Sequence, residues 1–316
     1  MTLTMPYAPQ IVQNHLLSLK DYSPSEILEL LALAAELKKP ENKHLPLLQG
    51  KVLGMIFEKS STRTRVSFEA GMLQLGGHAI YLSTRDIQMG RGETIADTAQ
   101  VLSGYLDGIM IRTFDQATVE ELADNSSVPV INGLTDDFHP CQVLADLLTI
   151  QEHFGTFKGK KLTYIGDGNN MSNSLMIGAA KVGMDITVAC PPAYAPKPEM
   201  IELAKSIAVH TGSNIQVTAN VVEAATGSDI IYTDVWASMG QEAEALERMK
   251  HFQGFQVNEQ LVQHANSNYI FMHCLPAHRE EEVSTEVLEG PNSVVFQEAE
   301  NRLHAQKALL FALMAK

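Results

Sequence analysis

Several things are scarce in this sequence. Its 316 residues hold only three cysteines, Cys141, Cys190 and Cys274, and one tryptophan. The cysteine spacing fits neither a disulfide framework nor a CxxC metal site, which points to a reducing compartment. No apolar run reaches the roughly 18 residues that a bilayer-spanning helix needs. The opening stretch MTLTMPYAPQIVQNHLLSLKDYS lacks the basic and long apolar regions of a secretory signal, so a cytoplasmic location is expected. Positive charge is also in short supply: 23 Lys and Arg stand against 37 Asp and Glu, a formal net charge of −14. A field of that sign repels nucleic acid and acidic membrane surfaces, and neither is an expected partner. An anionic ligand would have to be caught by local arginines and backbone N–H groups acting against the mean field.

What remains is an ordinary globular composition, 45% hydrophobic and 19% charged, in a chain long enough for two cores. Ser23-Pro24-Ser25-Glu26 forms a capping box and predicts a helix over the apolar run after it. Beyond it, β-rich runs alternate with helical stretches. Strands are expected at 51–57, 78–82, 108–111 and 128–131, then at 161–165, 186–189, 229–233 and 269–273. The alternation predicts an α/β fold of two doubly wound domains, each a mainly parallel sheet flanked by helices. The seam is expected in a helix after Pro140, about 141–153. The domains are read as 1–150 and 151–299, with the C-terminal helix, 300–316, packed on the first.

Chemistry-bearing residues cluster at the ends of these strands. Ser61-Thr62-Arg63-Thr64-Arg65 directly follows a predicted strand and opens a helix. Such a cluster is compatible with a plain N-cap and two solvated arginines. Its dense interleaving at a helix N-terminus instead suits a phosphate, held by free N–H groups, hydroxyls and guanidiniums. Arg112 ends another apolar strand, where ligands of open α/β sheets bind. His139 and Gln142 lie three apart at a helix start and can face one crevice. Gly166-Asp167-Gly168-Asn169-Asn170-Met171 resembles a dinucleotide turn, but Met171 replaces its third glycine and no ribose-binding acid follows. This turn is therefore read as presenting asparagines to a ligand without a nicotinamide cofactor. Asp234 ends a strand and is either a helix cap or a partner for an ammonium group. Cys274 is also at a strand end; a lone cysteine is usually a small buried hydrophobe, and no base is evident to make this one a nucleophile.

Together, Ser61-Thr62-Arg63-Thr64-Arg65, His139-Pro140-Cys141-Gln142, Ser238-Met239-Gly240 and His273-Cys274-Leu275-Pro276 closely resemble the carbamoyltransferase family. The likeness spans essentially the whole chain, with the motifs in the family's order. The first two motifs are shared with the aspartate-specific branch; Cys141, the HCLP loop and Asp234 followed by SMG mark the ornithine branch. The resemblance implies transfer of the carbamoyl group of carbamoyl phosphate to the side-chain amine of L-ornithine, giving L-citrulline and phosphate in arginine metabolism. It implies that Ser61, Thr62, Arg63, Thr64 and Arg112 hold the phosphate, with Arg302 as a late phosphate-side arginine. Arg112, His139 and Thr64 would donate to the carbonyl oxygen as it gains charge. Gln142 and the carbonyls around Cys274 and Leu275 would fix the carbamoyl NH2. Asn170, Ser238 and Met239 would hold the α-groups of ornithine, while Asp234 and Cys274 orient its side-chain amine. No cofactor, metal or covalent intermediate is implied. The family is typically a homotrimer with active sites between subunits, and Gln88 would reach into a neighbour's phosphate site; composition alone reads that stretch as a loop. Other acceptors (putrescine, an acetylated ornithine, aspartate), a silent regulatory subunit and a nucleotide-dependent oxidoreductase are the competing readings.

Overall fold

The protein is represented by a computed structural model that describes residues 10–89, 92–237 and 244–316. The chain divides into two compact units, one of residues up to Leu148 together with Glu300–Lys316, the other Thr149–Ala299.

In the first unit the predicted capping box forms. Ser23 accepts the Glu26 N–H at 3.2 Å, and Glu26 takes the Ser23 N–H at 2.7 Å, starting α1 (Pro24–Lys38). Next come β1 (Val52–Phe57), α2 (Thr62–Gln74), β2 (His78–Ser83), α3 (Ile95–Ser103), β3 (Gly108–Arg112), α4 (Gln116–Asp124), β4 (Val130–Leu134) and α5 (Pro140–Phe154). The four strands are parallel in the order β2-β1-β3-β4. Ile56, Ile109, Ile111, Val119, Leu122 and Val130 form one core. The chain reverses direction across the sheet between β1 and β3, so their carboxyl ends frame the crevice where such sheets bind ligands.

The expected strand 128–131 is displaced. β4 begins two residues later and runs through Asn132 and Gly133, which look like turn residues in sequence. The incoming segment accounts for this: Leu16 N–H donates to Val130 O, Asn132 N–H donates to Leu16 O, and the Asn132 amide donates to Leu17 O at 2.9 Å. Gly133 fits because a Cβ there would lie 2.6 Å from Met110 Sδ.

The second unit contains β5 (Lys161–Ile165), α6 (Asn170–Val182), β6 (Asp185–Ala189), α7 (Pro198–Thr211), β7 (Ile215–Thr218), α8 (Val221–Ala225), β8 (Ile230–Thr233), α9 (Ala245–His251), α10 (Glu259–Val262), β9 (Ile270–His273) and α11 (Thr285–Leu288). Its five strands are parallel in the order β7-β6-β5-β8-β9, around a core including Ile165, Ile231, Phe271 and Val283. The reversal falls between β5 and β8. The edge strand β7 has no counterpart among the sequence expectations: it is four residues long with only Ile215 buried, so its apolar signal is weak. Helix α12 (Val295–Met314) starts before the expected position 300, and the division between units falls within it.

Candidate active site

At the carboxyl end of the first sheet, Ser61 caps α2 by accepting the Thr64 N–H at 3.2 Å. Thr64 is buried, and its hydroxyl accepts from Arg302 Nη2 at 3.2 Å. Arg302 Nη1 donates to Gln142 Oε1 at 2.6 Å, and Gln142 Nε2 donates to Asp146 at 2.8 Å. Three motifs separated by up to 238 positions thus meet at one place. Gln306, its amide turned so that the oxygen faces Arg302, accepts from Arg302 Nε at 3.3 Å and donates to Ser67. Buried His139 lies within reach of the charges of Arg302, Arg112 and Arg63. Burial first, then those three guanidiniums, hold its imidazole well below the usual histidine range, so it is neutral near pH 7. A neutral imidazole beside three cations is a hydrogen-bond donor suited to a developing oxyanion. Burial also pushes the Cys141 thiol up to about 12, and it donates to Asn132 O at 3.3 Å.

The other arginine of the cluster is employed differently. Arg65 is ion-paired with Glu69 at 2.9 Å and stacks 3.9 Å from the Tyr81 ring centroid, with its side chain 47% exposed. Thr62 and Gln88 are exposed, while Ser61 and Arg63 are half-buried. Just before the cluster in sequence, Lys59 pairs with Asp136 and lies over the Phe114 ring, and the Thr113 hydroxyl donates to Glu58.

At the switch point of the second sheet, Asp234 accepts from Asn169 Nδ2 and from the Cys274 thiol, both at 3.1 Å. The pair predicted to orient an amine is therefore in contact. Asn169 Oδ1 also accepts the Met171 and Ser172 N–H groups. Those are the donors a pyrophosphate would meet in a dinucleotide turn, and here a side chain occupies them. Asn170 opens α6, half-buried. Ser238 and Met239 lie outside the described residues.

The turn bearing Cys274 and Leu275 is held from beneath. The Leu275 N–H donates to His273 Nδ1 at 2.9 Å, which leaves the proton on Nε2 facing Glu282 Oε1 at 3.1 Å. Glu282 also takes the His278 N–H at 2.6 Å, and His273 and Glu282 are fully buried. Leu275 sits at φ 57, a left-handed conformation uncommon for a branched residue, and this network sustains it. Ligand atoms of Asp234, His273 and Cys274 lie within 4.8 Å of one another, but both imidazole nitrogens are already committed.

Three comparisons with known proteins bear on this arrangement. Residues 14–152 match the family described as aspartate/ornithine carbamoyltransferase, carbamoyl-P binding domain, and residues 158–313 match its Asp/Orn binding domain. The chain belongs to the aspartate/ornithine carbamoyltransferase family. An ornithine carbamoyltransferase of Bacillus subtilis is 61% identical over 301 residues, covering 95% of this chain and 94% of the relative. Among solved structures, the ornithine carbamoyltransferase from Pyrococcus furiosus superposes with a TM-score of 0.93 at 55% identity, covering 95% of this chain and 97% of its own. The anabolic ornithine carbamoyltransferase from Campylobacter jejuni gives 0.90 at 44%, covering 95% and 99%. Within this family fold, sequence reasoning passed over Asp146, Gln306 and Glu282, and Asn169, expected to face a ligand, instead caps α6 and donates to Asp234. Asp146, Gln306 and Glu282 each hold a motif residue in place (Gln142, Arg302 and His273), and none carries a local signal beyond being polar.

Proposed function

We propose that the protein transfers the carbamoyl group of carbamoyl phosphate to the side-chain amine of L-ornithine, releasing L-citrulline and phosphate. The observation that carries this reading is that Arg302 joins Thr64, at the N-terminus of α2, to Gln142, while buried, neutral His139 feels the charges of Arg302, Arg112 and Arg63. Cations whose charges all reach one imidazole repel one another, and a bound dianion relieves that repulsion. Ser61, Thr62, Arg63 and Thr64 take the phosphate, with Arg112 and Arg302 adding charge. Arg112, His139 and Thr64 donate to the carbonyl oxygen as the amine attacks, each worth a few kcal/mol by comparison with oxyanion holes. Gln142 commits its NH2 to Asp146, so its oxygen is the end that accepts the carbamoyl NH2, alongside the carbonyls near Cys274 and Leu275. Asp234 and Cys274 orient the acceptor amine, and Asn170, Ser238 and Met239 hold its α-groups. Catalysis on this reading is positioning and electrostatics, with Arg112, His139, Asp234 and Cys274 at the reacting atoms. The first unit is assigned to carbamoyl phosphate and the second to ornithine.

The proposal extends to a cytoplasmic homotrimer serving arginine biosynthesis, or the urea cycle, in which Gln88 serves a neighbour's phosphate site. No helix among the described residues is long and apolar enough to cross a membrane. Supporting assembly, the edge strand β2 leaves Ile80 and Tyr81 exposed, and α2 leaves Val66 and Leu73 exposed, with Leu73 at 67%. The deciding assay measures citrulline formation with ornithine, putrescine, N-acetylornithine and aspartate side by side. Preference for another amine would remove the acceptor assignment. Arg63→Ala should abolish turnover in a folded protein, and full activity there would remove the phosphate cradle.

A further inference from the structure

Two carboxylates stand at the switch point of the second sheet. Asp167 follows β5 and Asp234 follows β8, and the charge of Asp234 reaches Asp167. The carbamoyl-transfer reading uses only Asp234, and any role for a neighbouring group at the acceptor amine rests on that reading. A second uncompensated carboxylate would work against the reaction. Nearby negative charge holds an amine in its ammonium form by about 1–3 pKa units, and an ammonium has no lone pair for attack.

Arg248 lies where it can prevent this. Its Nη1 donates to Asp167 Oδ2 at 2.6 Å and to the Trp236 carbonyl at 2.9 Å, and its Nε donates to Glu244 at 3.1 Å. The guanidinium sits 4.9 Å from the Tyr194 ring centroid, and the Arg248 and Asp167 side chains are 7% and 10% exposed. Trp236, two residues beyond Asp234, stacks on Phe252. One buried cation thus joins the turn after β5, which carries Asn169 and Asn170, to the segment after β8, which carries Asp234.

We infer that Arg248 is a positioning residue for the acceptor half of the reaction: it cancels the charge of Asp167, leaving Asp234 as the carboxylate that the ornithine amine meets, and it fixes the two loops that present Asn170 and Asp234. Around Asp167 the ionisable groups are Arg248, Asp234, Tyr164 and Cys190, with Glu244 on the far side of the guanidinium. Burial raises the Asp167 carboxyl, Arg248 opposes that rise and Asp234 adds to it. Burial lowers Arg248, but Asp167 and Glu244 outweigh it and hold the guanidinium above its ordinary value. Removing Arg248 alone therefore shifts the local balance towards negative charge, from Asp167 and Glu244, and removing Asp167 alone shifts it towards positive, with Glu244 still paired to the guanidinium.

The test is the pH profile of kcat/KM for ornithine in four proteins: wild type, Arg248→Met, Asp167→Asn and the double variant. In Arg248→Met the acid limb should move to higher pH by about one unit, a tenfold loss at a pH below the limb, while KM for carbamoyl phosphate stays within about twofold. In Asp167→Asn the limb should move to lower pH. The double variant should bring it back to the wild-type position. Shifts of one sign in both single variants, or a double variant that keeps the Arg248→Met profile, would mean a structural role only and overturn the inference. If Arg248→Met does not fold, Asp167→Asn and Arg248→Lys decide: an unmoved limb in the former, or a limb in the latter displaced upward, overturns it. Wild-type protein that turns over another amine and not ornithine would sink the acceptor reading itself, a result separate from any variant comparison.

Discussion

His139 illustrates how a residue of ordinary chemistry acquires a role from its surroundings. Its folded imidazole titrates well below 6.5 because it is buried among Arg302, Arg112 and Arg63. Between that depressed value and about 6.5 the unfolded chain binds a proton that the folded chain does not, so stability rises with pH there and falls on acidification. His15 and His304 are shifted in the same direction, chiefly by burial. The His139→Gln variant should therefore lose less stability than wild type between pH 7 and pH 5, with some slope remaining. Urea midpoints at the two pH values check this; parallel slopes would refute it. Arg302 holds Thr64 and Gln142 together. Losing charged hydrogen bonds worth about 1.5–3 kcal/mol, Arg302→Met should raise KM for carbamoyl phosphate about ten- to hundredfold and leave KM for ornithine nearly unchanged. Steady-state kinetics with each substrate varied will show it, and an unchanged carbamoyl phosphate KM would contradict the placement. At this scale Ser61, Arg63, Arg112, His139 and Asp234 were legible because each sits at a strand end or helix start. Asp146, Gln306 and Arg248 were not, because the reason for each lies in a partner far off in sequence or on a stretch with no motif.

Among the elements, the β5–α6 turn shows a glycine demanded by packing. A Cβ on Gly168 would lie 2.2 Å from Pro196 N and 2.6 Å from Tyr194 O, both backbone atoms that cannot rotate away. Gly168→Ala should destabilise the protein by about 1–3 kcal/mol, as overpacking does, and displace Asn169 and Asn170. A thermal melt with ornithine KM measures both effects; an unshifted melting temperature would show that the 194–196 segment yields freely. Most strands were recoverable to within a residue or two, because buried parallel strands are continuous apolar runs. β4 was mislocated, since Asn132 and Gly133 carry turn chemistry that pairing with β3 and with Leu16 overrides. β7 went unseen because a four-residue edge strand with one buried residue leaves little hydrophobic pattern.

For the whole molecule, the exposed apolar residues on β2 and α2 are the surface to test. If Leu73 and its neighbours meet another copy, Leu73→Asp should lower the sedimentation mass from about three chains towards one while leaving the circular dichroism spectrum intact. An unaltered mass would place the interface elsewhere. The sequence alone determined the α/β class, the succession of parallel strands and the family, because hydrophobic periodicity and strand-end motifs are local properties. Tertiary structure decided which polar groups meet: that Arg302 joins Gln142 and Thr64, that Arg65 turns outward to Glu69 and Tyr81, and that Cys274 reaches Asp234. Those pairings depend on strand order and side-chain direction in three dimensions, and a linear pattern does not specify either one.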